Sequence, residues 1–424
     1  MMRFAPSPTG EIKIDDLRIA LFSYIVSRQR GEGFILRFDD SDNDMEGGDG
    51  DIERILEKFS IVPDRKSYRS EHLSMHRRLA MGLVRDGKAF VCRCIGEDTE
   101  DIQCGKCGDT GLEELRRVES EKIPYLVKLK KPQKEIIFTD RRRGEILFTP
   151  DDIGDFVILE RDGTPTDDFA SACDDMLDSI DFVVERDENM INTALQVHIR
   201  RSLGYENDIE YLHLPDTICR DGRQSETMHE ICDVKWLLRR GFIPDAIINL
   251  LLMPGKRNDT DIFDMSEAVE WFDIGDIGER PYIFDIDELR YLNTEHLRRM
   301  DEVKLSRIFG FADADIGSLA KIHLSEAGTI EELDEKIEKI FKPKNPPPEW
   351  VEEMRILESA IYEAPPFGDF EEFVKHLSRT SGLEGERLSI PLSLLMRGCV
   401  DGPELSEIYR YTKSYILEVA KCRH

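Results

Sequence analysis

Positive charge is what this chain is short of. Its 424 residues hold 58 Lys and Arg against 87 Asp and Glu, a formal net charge of −29. Phosphate contacts need cations, so the total argues against a non-specific nucleic-acid binder, although a basic patch on an acidic body can still hold RNA. No run reaches the roughly 18 apolar residues of a membrane span. The start also lacks the basic, apolar and small-residue order of a secretory signal. A cytoplasmic protein with no membrane partner is expected. Cysteine is sparse: nine in all, four of them within residues 92–107 and five scattered singly. That distribution suits a reducing compartment with one metal site better than a disulfide framework. No internal repeat is apparent, and the one strongly biased segment, Lys342 to Pro348, reads as a stiff linker or loop. The length allows two to four domains with buried cores.

What is present is concentrated between Arg3 and Asp42, RFAPSPTGEIKIDDLRIALFSYIVSRQRGEGFILRFDDSD. A short apolar strand, Arg3-Phe4-Ala5, enters a Pro/Ser/Gly loop. Leu17, Ala20, Leu21, Tyr24, Ile25 and Arg28 then recur at helical spacing. Gly31 and Gly33 end that helix, and Phe34 to Phe38 forms a second strand before a dense acidic loop. Strand, helix and strand make a βαβ unit with parallel strands. Its first loop is where such folds bind nucleotides, because helix N-terminal N–H groups point into it.

Farther on, Cys92, Cys94, Cys104 and Cys107 form two close pairs, the second a C-x-x-C. Four thiolates so spaced can wrap a tetrahedral structural Zn²⁺; the alternative is four free surface thiols. A basic stretch follows, with Lys128, Lys130, Lys131, Lys134, Arg141, Arg142 and Arg143 alternating with apolar residues. It reads as strands and hairpins with a basic face, the best phosphate-contact candidate in the chain and otherwise a solvated surface. Trp236, Trp271 and Trp350 lie in helical patterns and are expected to pack.

The Arg3–Asp42 stretch resembles the start of glutamyl-tRNA synthetases, the class I family in which R-F-A-P-S-P-T-G leads into a His-Ile-Gly-type signature. The similarity continues through Asp155–Asp175, Phe242–Leu252 and Pro391–Leu405. It implies an α/β, Rossmann-type catalytic domain with an acceptor-binding insertion, followed by an all-α anticodon-binding-like domain. The expected boundaries are 1–90 and 176–235 for the catalytic halves and 91–175 for the insertion. A stem-contact region over 236–305 and the helical domain over 306–424 complete the scheme. The resemblance implies tRNA as partner, with the basic segment (Lys128, Lys130, Lys131, Arg141, Arg142, Arg143) against its acceptor arm. It implies ATP and Mg²⁺ if the chain is catalytically active, and zinc in the insertion. A monomer is expected, with a protein partner as a further expectation.

The resemblance places the amino-acid pocket at Arg3, Ser7, Asp39, Asp167, Ser171 and Glu185. The signatures depart from the family pattern. Lys13-Ile14-Asp15-Asp16 stands where His-Ile-Gly-Gly or His-Ile-Gly-Asn belongs, leaving Lys13 and Asp16 at catalytic positions. The second signature, a Lys-rich loop in the family, falls within Arg220–Asp233, where Arg223 is the nearby cation. The family's pocket Tyr corresponds to Asp167, and the Arg that pairs with the glutamate substrate corresponds to Glu185. A carboxylate cannot replace a guanidinium fork facing a carboxylate. Adjacent Arg186 points to the opposite face of a strand. Three readings follow, in order of preference: a synthetase relative that keeps tRNA or partner binding but has lost or changed glutamylation; a ligase with an altered substrate, such as a cationic one; and a working glutamate–tRNA ligase with variant motifs.

Overall fold

The computed structural model describes residues 1–6, 10–40, 48–94, 107, 110–121, 123–221, 228–255 and 262–423. Strands are β1 (Met2–Phe4), β2 (Phe34–Phe38), β3 (Arg65–Tyr68), β4 (Ala89–Cys92), β5 (Leu126–Leu129) and β6 (Ile136–Asp140), then β7 (Gly144–Phe148), β8 (Phe156–Leu159), β9 (Phe182–Arg186), β10 (Glu210–Leu214), β11 (Thr217–Arg220) and β12 (Tyr282–Asp285). The expected βαβ unit is present: β1 pairs in parallel with β2 in the register Met2↔Phe34 to Phe4↔Leu36, across the helix Ile14–Arg30. Both strands are buried along their whole length, as parallel strands covered on two faces must be. Gly31 closes the helix at φ +66°, a left-handed cap that costs glycine little.

A seven-stranded sheet runs in the order β3-β2-β1-β9-β10-β6-β7, and all of its pairings except β6–β7 are parallel. From β1 the chain winds outward to β2 and β3 on one side and to β9 and β10 on the other. The gap between β1 and β9 is therefore a topological switch point, with a crevice beyond the strands' carboxyl ends. A second, three-stranded sheet is β4-β5-β8. The expected insertion, 91–175, is not set apart cleanly: its hairpin β6–β7 joins the main sheet.

The chain divides into two compact units, Met1–Trp236 with Ile248–Asp285, and Leu237–Ile247 with Ile286–His424. The expected stem-contact region, 236–305, is thus shared between them. Side-chain packing decides this, because Leu297 and Leu305 belong to the core of the second unit. That unit is helical as expected. Its starts are legible locally: Asp301, Asp313, Thr329 and Asp369 each accept a hydrogen bond from a backbone N–H two or three residues on. Trp271 meets the Phe263 ring edge-on at 4.8 Å, and Trp350 packs on the second unit's core. The Lys342–Pro348 segment is fastened rather than a free spacer, since the buried Lys344 ammonium donates to the Ile340 and Val419 carbonyls.

At the heart of the first unit lies a buried charge cluster. Asp175, on the helix Asp167–Leu177, is fully buried and accepts from Arg3 Nε of β1 at 2.9 Å and Arg37 Nη2 of β2 at 2.8 Å. Burial works to raise the Asp175 carboxyl, but the charges of Arg3 and Arg37 outweigh it and hold the group at about 2.

A carboxyl depressed in the folded state contributes stability that is complete above its unfolded value and lost as pH falls through its folded one. We expect the acid limb of unfolding to include a component between about pH 4 and pH 2. Asp175→Asn should remove that component in an acid titration and cost about 3–5 kcal/mol in urea at neutral pH, since two buried guanidinium groups lose their counter-charge. In the second unit Gly241 sits at φ +81°, where a Cβ would lie 2.7 Å from the backbone nitrogens of Ile330 and Glu331. Gly241→Ala should cost about 3 kcal/mol by urea denaturation.

Candidate functional site

The crevice at the switch point is a cavity of ≈ 340 Å³ lined from the ends of three strands. β1 supplies Arg3 and the following Ala5 and Pro6, β2 leads into Asp39, and β9 supplies Glu185. The helix Asp167–Leu177 contributes Asp167, Asp168 and Ser171, and the helix Met190–Ser202 contributes Asn192, Thr193 and Gln196. Arg3, Asp39, Asp167, Ser171 and Glu185, separated by up to 182 residues in sequence, therefore line one cavity. Ser7 lies outside the described residues.

The charges of this crevice are answered from within the chain. Glu185 Oε1 accepts from Arg3 Nη1 at 3.1 Å, and its other oxygen accepts from Asn189 Nδ2 at 3.1 Å. Arg69 ties the opposite wall together by donating to Asp39 and, at 2.7 Å, to Asp167. Asp168 is raised by burial, although hydrogen bonds from Gln196 and Asn192 pull the other way. Sequence reasoning misses Arg69. The available signal is positional, because Arg69 directly follows β3, and residues just past a strand's carboxyl end line such crevices.

A buried relay stands behind Thr193. His213 receives or donates through Nε2 to Thr193 Oγ1 at 2.9 Å and through Nδ1 to Asp140 Oδ2 at 2.8 Å. Asp140 also accepts from the backbone N–H groups of Arg142, Arg143 and His213. Burial would raise Asp140, yet these bonds hold it below the usual carboxylate range. The relay fixes one wall of the crevice, and its members are too far apart in sequence for spacing to betray it.

The altered first signature opens the helix Ile14–Arg30. Lys13 N–H donates to Asp16 Oδ2 at 3.0 Å, and Asp16 Oδ1 accepts from Arg186 Nη2 at 2.5 Å. Asp15 faces Arg18, which also donates to Thr217 Oγ1 at 2.7 Å. Arg186 is thus committed to Asp16, and Arg161 donates to the Cys94 carbonyl at 3.0 Å. Both guanidinium groups are engaged away from the crevice position that Glu185 holds. The end of the second signature segment does reach the first: Ile14 N–H donates to the Cys232 carbonyl and Val234 N–H to that of Ile12. Arg223 and residues 222–227 lie outside the described residues. Cys219 and Cys232 form a disulfide across that segment, which corrects the reading of five single cysteines. The pairing of chain neighbours through β11 and Ile12–Ile14 brings them together.

Of the expected zinc ligands, Cys92, Cys94 and Cys107 converge within 4.8 Å of one another, with Cys94 and Cys107 sulfurs 3.8 Å apart. Tetrahedral zinc with bonds of about 2.3 Å separates its sulfurs by about that distance, so the thiols fit the ion. Cys104 lies outside the described residues. The basic segment is less of a face than expected. Lys128 is 1% exposed within β5, because the β4–β5–β8 sheet buries both its sides there. Arg142 is drawn inward by Asp187 at 2.5 and 2.7 Å. Lys130, Lys131, Arg141 and Arg143 remain partly or largely exposed, with Lys131 on Asp151 and Arg143 on Asp187.

Comparison with known proteins agrees with this architecture. Residues 1–291 match the family model described as tRNA synthetases class I (E and Q), catalytic domain. The chain is 48% identical to glutamate–tRNA ligase 2 of Sulfurovum sp. and 40% identical to glutamate–tRNA ligase 2 of Sulfurimonas denitrificans. Each alignment spans 99% of this chain and 100% of the relative. A solved glutamate tRNA ligase from Elizabethkingia meningosepticum superposes with a TM-score of 0.78 at 21% identity, over 99% of this chain and 98% of that one, a likeness of fold. With its switch-point crevice, its Arg3–Gly10 entry and these full-length relatives, the chain belongs to the glutamyl-tRNA synthetase family of class I aminoacyl-tRNA synthetases.

Proposed function

We propose that this family member retains tRNA binding while its pocket no longer takes glutamate for ATP-dependent transfer to tRNA. One observation carries the reading: the Glu185 carboxylate sits on Arg3 at 3.1 Å. The resemblance makes Arg3 part of the amino-acid pocket, and the Nε and Nη2 of this guanidinium donate to Asp175. A substrate carboxylate approaching Arg3 is repelled by the Glu185 carboxylate already seated there and finds few free N–H groups on the guanidinium. Asp15 and Asp16 add anionic groups at the signature where ATP and Mg²⁺ act in the family, and each has an arginine partner from the same chain.

The second reading, a cationic substrate, has less support. The described carboxylates of the crevice already have partners: Asp39 and Asp167 share Arg69, Asp168 holds Asn192 and Gln196, and Glu185 holds Arg3 and Asn189. A cation would have to break these contacts before making its own. For tRNA, the exposed cations Lys131, Arg141 and Arg143 are the best remaining phosphate contacts. The cysteine cluster would hold structural Zn²⁺ and brace the adjoining sheet.

Aminoacylation of total tRNA with labelled glutamate, beside tRNA-dependent ATP–pyrophosphate exchange across the amino acids, tests this directly. We expect silence with glutamate from folded protein that still retards tRNA in a gel. Glutamate charging would overturn the proposal, and exchange with a different amino acid would favour a changed substrate. Glu185→Gln should free Arg3 and raise affinity for glutamate about tenfold, or ~1.4 kcal/mol, by calorimetry. Replacing Lys131 and Arg141 by Ala should flatten the salt dependence of tRNA binding, by about 0.7–0.9 in log–log slope for each phosphate no longer neutralised.

A further inference from the structure

Outside the crevice and apart from the thiol cluster, one further cluster among the described residues has the donors of a metal site. The short 3-10 turn Arg69–His72 runs directly into the helix Leu73–Arg85. Backbone angles of φ −104°, ψ −5° at His72 and φ −53°, ψ −40° at Leu73 keep the path helical. His72 and His76 are four residues apart and so share a face. Asp174, on the helix Asp167–Leu177, projects between them. Its Oδ1 lies 3.0 Å from His72 Nδ1 and 2.7 Å from His76 Nε2. His76 and Asp174 are fully buried, and the His72 side chain is 28% exposed.

We propose that His72, His76 and Asp174 form a second metal site, separate from the thiol cluster, for a zinc-class divalent ion. Two imidazoles and a carboxylate are a donor set that suits zinc and its neighbours. Tetrahedral zinc with bonds of about 2.0–2.1 Å spaces its ligands about 3.3 Å apart. Asp174 Oδ1 would have to move about 0.3 Å farther from His72 Nδ1 and about 0.6 Å farther from His76 Nε2. Asp174 Oδ2 is buried and has no hydrogen-bond partner among the described residues. Burial would raise the Asp174 carboxyl, and the two imidazoles and the Arg37 charge hold it low, so it stands ionised with one oxygen available to an ion. Partial exposure of His72 gives the ion a way in and leaves room for a water as fourth ligand.

The same elements reach the crevice. Arg69 precedes His72 by three residues, and Ser171 precedes Asp174 by three, each about one turn away. An ion here would pin the Arg69 turn onto the Asp167–Leu177 helix and stiffen the wall that holds Asp39 and Asp167. Ligation through His76 Nε2 leaves the ring proton on Nδ1, which has no acceptor among the described residues. Affinity should therefore fall below that of fully buttressed sites.

Titration of the chelator-treated full-length chain with Co²⁺ separates the two sites. Cobalt on thiolates gives an intense sulfur-to-metal charge-transfer band, while a His₂Asp site gives only weak d–d bands. We expect one equivalent to bind without the thiolate band, in addition to any bound with it. His72→Ala, which alters the exposed ligand, should lose that equivalent and leave the thiolate band unchanged. Binding accompanied only by the thiolate band, or an unchanged stoichiometry in His72→Ala, would overturn the proposal. Should the variant not fold, Zn²⁺ protection of His72 against diethyl pyrocarbonate in the unaltered chain replaces it. Modification at the same rate with and without Zn²⁺ would then reject the site.

Discussion

A single buried carboxylate holds the centre of the first unit together. Asp175 lies on a helix, yet it is the shared counter-ion of Arg3 on β1 and Arg37 on β2, the two strands of the opening βαβ unit. Arg3 passes the connection on to Glu185 at the end of β9. Three adjacent strands at the switch point are therefore tied through one cluster. Charges removed from water so completely are stable only when each has its partner in place. The crevice inherits its geometry from that condition, because its floor is made of the same side chains.

Charge compensation extends outward from this centre. Glu185 answers Arg3, Arg69 answers Asp39 and Asp167, Arg186 answers Asp16, and Arg18 stands beside Asp15. The departures from the family pattern are thus not isolated charges left in a vacated site. They form a connected set of pairs, and a pair that is desolvated and well placed resists exchange for a ligand of the same sign. In a chain with a net charge of −29, such pairing also explains how so many carboxylates stand around one pocket without mutual repulsion splaying it.

Much of the scaffold is legible in the residues themselves. β2 occupies Phe34 to Phe38 as its apolar run indicates, and the first helix follows the Leu17–Arg28 spacing to its glycine stop. Caps such as Asp369 mark helix starts because a side-chain oxygen and a nearby N–H meet whenever the chain turns helical. Lys128 shows the opposite case. Its basic neighbours suggest a surface, while the strands on both sides of β5 bury it. Likewise the hairpin β6–β7 belongs by sequence to the insertion, and edge pairing with β10 carries it into the main sheet.

What the sequence indicated by itself was the class of fold, a set of candidate pocket residues from Arg3 to Glu185, and Lys13-Ile14-Asp15-Asp16 where the family has its first signature. The opening βαβ unit follows from local periodicity, a short-range property of the chain, whereas the pocket positions and the signature departures follow from the resemblance of its motifs to the family's. Only the tertiary structure decided how the charges are spent: Glu185 on Arg3, Arg186 on Asp16, Arg142 on Asp187. It also brought His72 and His76 against Asp174, about a hundred residues away. Ion pairing depends on distance and burial in space, and neither is encoded in the spacing of residues along the chain.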